Sequence, residues 1–314
     1  MKKIRIEVPA STANLGPGFD TLGMALDFCD IVTAEVGEVG GDIVLEGCST
    51  DISLDSHSNL ICMGYRTWGE QRKVELPGVR FTLQSHIPIG KGLGSSAAAI
   101  VAGLAAAAFA SGEKNARQHI LHIASRMEGH PDNVSAAVLG GLTTAFDDGD
   151  QVRALNLVNH LSIGVGLFIP DDVLLTSDAR AALPDKIPVR DAVHDLGRLA
   201  YLTTALIWGL WECIGPAMEN RLHLPYRRRL LPELDTVIEA AKEAGAFGAT
   251  LSGAGPTVIA LGPAEAAERF TTAMERRARK RGWPGKGLVT GVRQHGVQVS
   301  EIKAETEGDP AQTS

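Results

Sequence analysis

The sequence predicts an α+β protein of two domains. Three observations carry this expectation. The chain has 314 residues, about two domains' worth at roughly 150 residues each. Its first half mixes period-two apolar alternation with helical runs. A second set of strands and long helices then starts at SIGVGLFIP, a buried strand ending at Pro170. The expected domains are 1–158 and 159–302. The segment 303–314 is polar, carries Gly, Pro and Asp, and predicts a disordered tail.

In chain order, Ile4, Ile6 and Val8 alternate with charged residues, and Val79, Phe81 and Leu83 alternate with Arg80, Thr82 and Gln84. Both patterns predict half-buried strands. Residues 28–36 and 43–45 are further strand candidates. Helices are expected over 59–72, over 96–110, where alanine favours helix, and over 115–127, with Asn115 as cap. In the second half, helices are expected at 192–213, 232–244 and 264–281. Strands are expected at 248–251, 257–261, 288–292 and 297–302, the last two closing the second unit.

Composition excludes several classes. With 44% apolar residues the chain is not globally disordered. A net charge of −7 argues against a nucleic-acid-coating surface. It also means that an anionic ligand must be held by local donors. Cys29, Cys48, Cys62 and Cys213 are scattered, without CxxC pairs, which suits a reducing compartment. The start, MKKIRIEVPAS, has no apolar signal core. The alanine-rich run 97–110 is too short and too weakly apolar to span a bilayer. A cytoplasmic protein without membrane contact is expected.

The most informative segment is Pro88-Ile89-Gly90-Lys91-Gly92-Leu93-Gly94-Ser95-Ser96-Ala97-Ala98. Alternate glycines let successive backbone N–H groups turn inward as a donor nest. The helix start behind them adds unpaired N–H groups and the positive end of its dipole. This predicts a phosphate site that needs no net positive charge. It is not a Walker loop, because Gly92 follows Lys91, nor a dinucleotide fingerprint, because Ser95 stands at the third glycine position.

Three other segments stand out. PASTANLGPGFD, residues 9–20, is a turn composition that sets Asn14 and Asp20 around a Gly-Pro-Gly turn after a strand. Glu128-Gly129-His130-Pro131-Asp132-Asn133 groups four chemically capable side chains. Ser252-Gly253-Ala254-Gly255-Pro256 joins two strands, as a glycine bulge or a second backbone nest. His119 and His122 lie three apart on a helix without a third ligand, so no metal site is expected there. The GxSxG and HExxH patterns are absent.

GLGSSAA after a strand-ending proline resembles the phosphate loop of the GHMP kinases, the family of galactose, homoserine, mevalonate and phosphomevalonate kinases. PASTANLGPGFD is similar to the first motif of the homoserine kinases in particular, and GATLSGAGP to the third family motif. The resemblance covers residues 3–302, with the motifs in the family's order. It implies a fold with an N-terminal domain like domain 2 of ribosomal protein S5 and a ferredoxin-like C-terminal domain. It further implies phosphorylation of L-homoserine by ATP with Mg²⁺, on the route to threonine, by an enzyme of a group in which homodimers are common.

Residue by residue, the resemblance assigns the nucleotide to Asn59, the loop 88–98, Ser252 and Gly253. Ser96 and Glu128 would hold Mg²⁺, which suits hard oxygen ligands. Asn14, Asp20, His130, Asn133, Arg180, Arg227 and Gly255 would contact homoserine. A guanidinium suits its carboxylate, and Arg228 or Arg229 could stand in for Arg227. Asp132 is a candidate base. The resemblance instead implies that Asn133 faces the hydroxyl, leaving Asp132 a structural acceptor. Gly90-Lys91 and Arg126-Met127 depart from the usual family residues without touching these positions. The alternatives are a mevalonate-pathway kinase of the same superfamily, a non-catalytic nucleotide-binding regulator, and an RNA-binding module. Intact Ser96 and Glu128 argue against the regulator, and the acidic charge against the RNA-binding module.

Overall fold

The fold comes from a computed structural model, which describes residues 2–39, 41–46 and 56–302. The first unit opens with β1 (Lys2–Asn14) and β2 (Gly18–Val39), followed by β3 (Ile43–Glu46), α1 (Leu60–Arg72) and β4 (Pro77–Gln84). Then come α2 (Ser95–Ala110), α3 (Arg117–Glu128), α4 (Asp132–Leu139), β5 (Leu142–Asp147) and β6 (Val152–Val158). The strand path runs β11 (Gln298–Glu301)-β1-β2-β4-β3, with β5 on β2 and β6 on β5. Among the described residues only β3 and β4 pair in parallel; the other pairs of this sheet are antiparallel.

The alanine run is a core helix. α2 packs on β1 and against α1, α3 and α4, and residues from Ala97 to Ala108 are buried on almost every side. Its approach to α1 is backbone to backbone. A Cβ on Gly103 would lie 2.0 Å from the Ile61 carbonyl oxygen, and one on Gly64 2.7 Å from that of Ile100. Small side chains therefore serve close packing here.

The second unit contains β7 (Gly164–Pro170), α5 (Thr176–Ala181), α6 (Val189–Trp208), α7 (Ile214–Ala217), α8 (Leu224–Arg227) and α9 (Leu234–Glu243). It continues with β8 (Gly248–Leu251), β9 (Val258–Gly262), α10 (Ala267–Lys280) and β10 (Gly285–Thr290). Its strands are ordered β10-β7-β9-β8 and all pair antiparallel. With helices between β7 and β8 and between β9 and β10, this is the ferredoxin-like split βαβ arrangement. Phe168, Phe270, Met274 and Trp283 fill its core beneath α9 and α10.

Several expectations change. The last strand, β11 (Gln298–Glu301), does not close the second sheet but pairs with β1 in the first, where Ile6 lies opposite Val299. The chain thus returns to its starting unit. β2 begins ten residues before the expected strand, because the turn-like residues 18–27 pair with β1 across register shifts. β5 and β6 were not expected. Nor was α4: Gly129 ends α3 in a left-handed conformation and α4 starts at Asp132. α6 stops at Trp208 with Gly209 as left-handed cap, and β10 begins three residues earlier than expected. Ala116, not Asn115, occupies the cap position of α3. Cys48 and the tail 303–314 lie outside the described residues.

Candidate active site

A cavity of about 360 Å³ opens where the two units meet, between the N-terminus of α2, the 128–133 segment, the β1–β2 turn and α5. One wall is the glycine loop. Gly90, Gly92 and Gly94 have φ of +67°, +72° and +75°, values that side chains adopt only with strain. There is no room for a Cβ either: one on Gly92 would sit 2.3 Å from the Ser252 carbonyl oxygen, and one on Gly94 2.1 Å from Ser11 Oγ.

The carbonyls from Gly90 to Leu93 are held from outside. Those of Gly90, Lys91 and Leu93 accept from the backbone N–H groups of Leu174, Thr257 and Ser11, at 3.3, 3.3 and 3.0 Å. Ser252 Oγ donates to the Gly92 carbonyl at 2.7 Å. The loop's own N–H groups, with those of the first turn of α2, are left for an anion in the cavity. No side chain caps α2. The Lys91 ammonium turns away, donating to the carbonyls of Asp171 and Asp172 at 2.7 and 2.6 Å. Burial pulls its pKa down, against the pull of those two carboxylates.

Beside the loop, Ser96 Oγ donates to Glu128 Oε1 at 2.5 Å. Adjacent oxygens on an octahedral Mg²⁺ with 2.0–2.1 Å bonds lie about 2.9 Å apart. A hydroxyl and a carboxylate already this close at a cavity wall fit such an ion with a small adjustment. Asp132, at the start of α4, accepts from Asn133 N at 2.7 Å and lies 2.6 Å from His130 Nδ1. Burial alone would lower the His130 pKa. The hydrogen bond and charge of Asp132, with the charge of Glu128, outweigh it, and the net shift is upward. Asn133 Nδ2 donates to Ser11 Oγ at 3.0 Å, which leaves its carbonyl oxygen for the cavity.

The far end of the cavity is zwitterionic. Arg180, on α5, forms a two-bonded pair with Asp20 at 2.7 and 3.0 Å. Asn14 Oδ1 accepts from Asp20 N at 3.1 Å, and its Nδ2 donates to the Gly253 carbonyl at 2.9 Å. Arg227 Nη1 also donates to the Gly253 carbonyl, at 2.9 Å. Both guanidinium groups lie over the Phe19 ring, 5.6 and 5.4 Å from its centroid. Arg227 is the arginine of its run that reaches the cavity; Arg228 pairs with Asp235 at 2.9 Å and Arg229 is exposed. Burial, then the charge of Arg180, lowers the Arg227 pKa to about 10, so it stays a cation at neutral pH. Among the described residues, Asp20, His130 and Asp132 also approach one another closely enough to hold a metal, but Arg180 and the His130–Asp132 bond already occupy them.

Two family models match the chain: the N-terminal domain of GHMP kinases over residues 60–141 and the C-terminal domain over residues 202–280. The homoserine kinase of Caldanaerobacter subterraneus subsp. tengcongensis is 38% identical over 94% of this chain and 95% of its own. That of Desulfitobacterium hafniense is 38% identical over 94% and 99%. The chain belongs to the homoserine kinase family of GHMP kinases. The crystal structure of homoserine kinase from Cytophaga hutchinsonii ATCC 33406 superposes with a TM-score of 0.86 at 30% identity, covering 96% of this chain and 98% of the other.

The homoserine kinase motifs converge on one cavity. Asn59 lines it and caps α1, accepting from Ile61 N at 2.9 Å. Four expected residues do not line it. Ala97 and Ala98 are buried in α2 behind the loop. Ser252 lies beneath Gly92, and Gly255 backs against the same glycine. Their part is to support the loop. Reading the motifs missed Ser11 and Phe19, which sit inside the first motif, and His223, which has no local signal at all. His223 lies fully buried between Gly16 and Arg227, its Nε2 2.8 Å from the Gly16 carbonyl oxygen.

Proposed function

We propose that the chain transfers the γ-phosphoryl group of ATP to the side-chain hydroxyl of L-homoserine, giving O-phospho-L-homoserine for threonine biosynthesis. The observation that carries this reading is the order of groups along one cavity: an anion cradle, an oxygen pair, then a zwitterion-matched end. In this reading the backbone N–H groups of 90–96 hold the nucleotide phosphates. Asp20 takes the substrate ammonium, while Arg180 and Arg227 take its carboxylate. Mg²⁺ held by Ser96 and Glu128 would neutralise charge on the phosphates.

Asn133, braced by Ser11, presents its amide oxygen to the hydroxyl. Asp132 keeps its bonds to His130 and Asn133, so no side chain needs to take the proton early. A loose transfer relies mainly on positioning and charge stabilisation. The proposal includes a cytoplasmic homodimer that binds no nucleic acid. The free thiols of Cys29 and Cys213 suit a reducing compartment, and among the described residues no helix is long and apolar enough to cross a membrane.

The test is coupled ADP release with L-homoserine, mevalonate and galactose offered separately. Homoserine should be turned over far faster than the others. Equal rates with mevalonate, or no turnover of homoserine, would overturn the reading.

A further inference from the structure

His223 and Arg227 stand four residues apart in the sequence HLPYR, and α8 turns that spacing into contact. Asn220 Oδ1 accepts from Leu224 N at 2.9 Å, and the Arg227 N–H donates to the His223 carbonyl at 3.2 Å, closing one helical turn. Side chains at i and i+4 then share a face. His223 and Arg227 are 0 and 2% exposed, so their polar atoms need partners inside the protein or in the cavity.

The two neighbours of the imidazole dictate where its proton sits. The Gly16 carbonyl, 2.8 Å from Nε2, can only accept, so Nε2 carries the hydrogen. A guanidinium can only donate, so Nδ1, 3.3 Å from Arg227 Nη1, presents its lone pair. Nη1 gives its other hydrogen to the Gly253 carbonyl at 2.9 Å, and Nε reaches the Ala179 carbonyl at 3.5 Å. Among the described residues no hydrogen bond engages Nη2. Its two hydrogens are left for a ligand in the cavity that Arg227 lines.

We propose that His223 is a positioning residue for substrate binding, whose ring holds Arg227 and the turn that carries Asp20 at one separation. The proposal rests on the reading that Arg227 takes the homoserine carboxylate and Asp20 its ammonium.

An amino acid carries both charges on a single carbon, so the groups that receive them must keep their distance from one another. Asp20 belongs to the first unit and Arg227 to the second. The imidazole joins them, with one nitrogen on Gly16 in the β1–β2 turn and the other on Arg227. The turn itself has no slack: Gly16 has φ of +95°, and a Cβ there would sit 2.2 Å from the Met218 carbonyl oxygen. The ring also stacks on Phe19, with centroids 5.3 Å apart and planes inclined by 29°. Phe19 in turn lies under both guanidinium groups. A second proton on the ring would point from Nδ1 at a cation and break the bridge. Burial, then the charge of Arg227, keeps that proton off down to about pH 3.

Two variants separate the two bonds. A glutamine amide extends as far as Nε2, and an asparagine amide only as far as Nδ1. His223→Gln therefore keeps a donor for Gly16 and loses the acceptor for Arg227. KM for homoserine should rise about 10-fold, the scale of one hydrogen bond to a charged group, with KM for ATP held within about twofold. His223→Asn offers Arg227 an amide oxygen again and should recover most of that loss. In an Arg227→Ala background, His223→Gln should add nothing. Nuclear magnetic resonance of the wild type labelled with ¹⁵N-histidine should show a ring protonated on Nε2 and bare on Nδ1 at neutral pH, identified by its loss in His223→Asn. Equal rises in both variants overturn the proposal. So does a rise that persists without Arg227, or a proton found on Nδ1. Failure in these variants alone leaves the kinase reading standing, whereas a wild type that phosphorylates no homoserine removes both.

Discussion

Arg180 and Asp20 face each other as a fork on a carboxylate, with both guanidinium nitrogens engaged at 2.7 and 3.0 Å. The two residues lie 160 positions apart and come from different units of the fold. Each is the natural partner for one charge of an amino acid: Asp20 for the ammonium, Arg180 for the carboxylate. Paired with one another, their two charges cancel, and a zwitterion can replace the pairing charge for charge.

Arg180→Ala should therefore act on substrate affinity. A charge-assisted hydrogen bond contributes about 1.5–3 kcal/mol, so KM for homoserine should rise roughly 10- to 150-fold. KM for ATP should stay within about twofold. Steady-state kinetics with each substrate varied in turn decides it; a rise confined to ATP would move Arg180 to the nucleotide side.

Glu128→Gln keeps the shape of the side chain and removes its charge beside Ser96. A fall in kcat of at least about 10²-fold is expected, the scale of one lost electrostatic contact to the transferring group. Titrating magnesium to saturation checks it. Recovery of near-normal kcat would take Glu128 out of the proposed role.

Asp132 and Asn133 should respond differently. Asp132 spends its carboxylate on His130 and on Asn133 N, so Asp132→Asn should cost kcat less than about 10²-fold, the lower end for a general base. Asn133→Ala should cost more. If folded Asp132→Asn loses about 10³-fold and the acidic limb of its pH–rate profile, Asp132 is the base after all.

His223 gives a pH signature in stability. Burial, then the charge of Arg227, holds its pKa down at about 3. The unfolded chain takes up this proton near pH 6.5, whereas the folded chain does not until about pH 3. Stability from the neutral ring is therefore complete above pH 6.5. It falls by about 1.4 kcal/mol per unit as the pH drops through that window. Urea denaturation of wild type and His223→Asn between pH 4.5 and 7 should show the slope smaller by one proton in the variant. Parallel slopes would mean that the ring is protonated when folded.

Local periodicity was enough for β4 and the core of β1, because their apolar spacing reflects burial directly, and alanine's helix preference was enough for α2. It failed at 18–27, where Gly18, Asp20, Thr21 and Gly23 look like a turn yet belong to β2. There the pairing comes from β1 across register shifts and from the distant β5, where Leu22 lies opposite Thr144. It also missed α4, which starts at Asp132 directly after Pro131. The site was legible as three motifs, each carrying its own backbone requirement. His223 was not, because its meaning lies in contact with Gly16, 207 residues away, and a single histidine in NRLHLP signals nothing locally.

The bracing of the glycine loop has a consequence for the end of the catalytic cycle. Gly92 is pinned between Ser252 and Gly255 on one side, while Leu93 is tied to Ser11 on the other. A cradle specified from two directions keeps one shape whether or not a ligand fills it. Under the proposed reaction it cannot tell the spent nucleotide from the fresh one, since both present the same inner phosphates to it. ADP should therefore compete well with ATP for the free enzyme. The choice between them falls to the single place where the two nucleotides differ, beside Ser96 and Glu128.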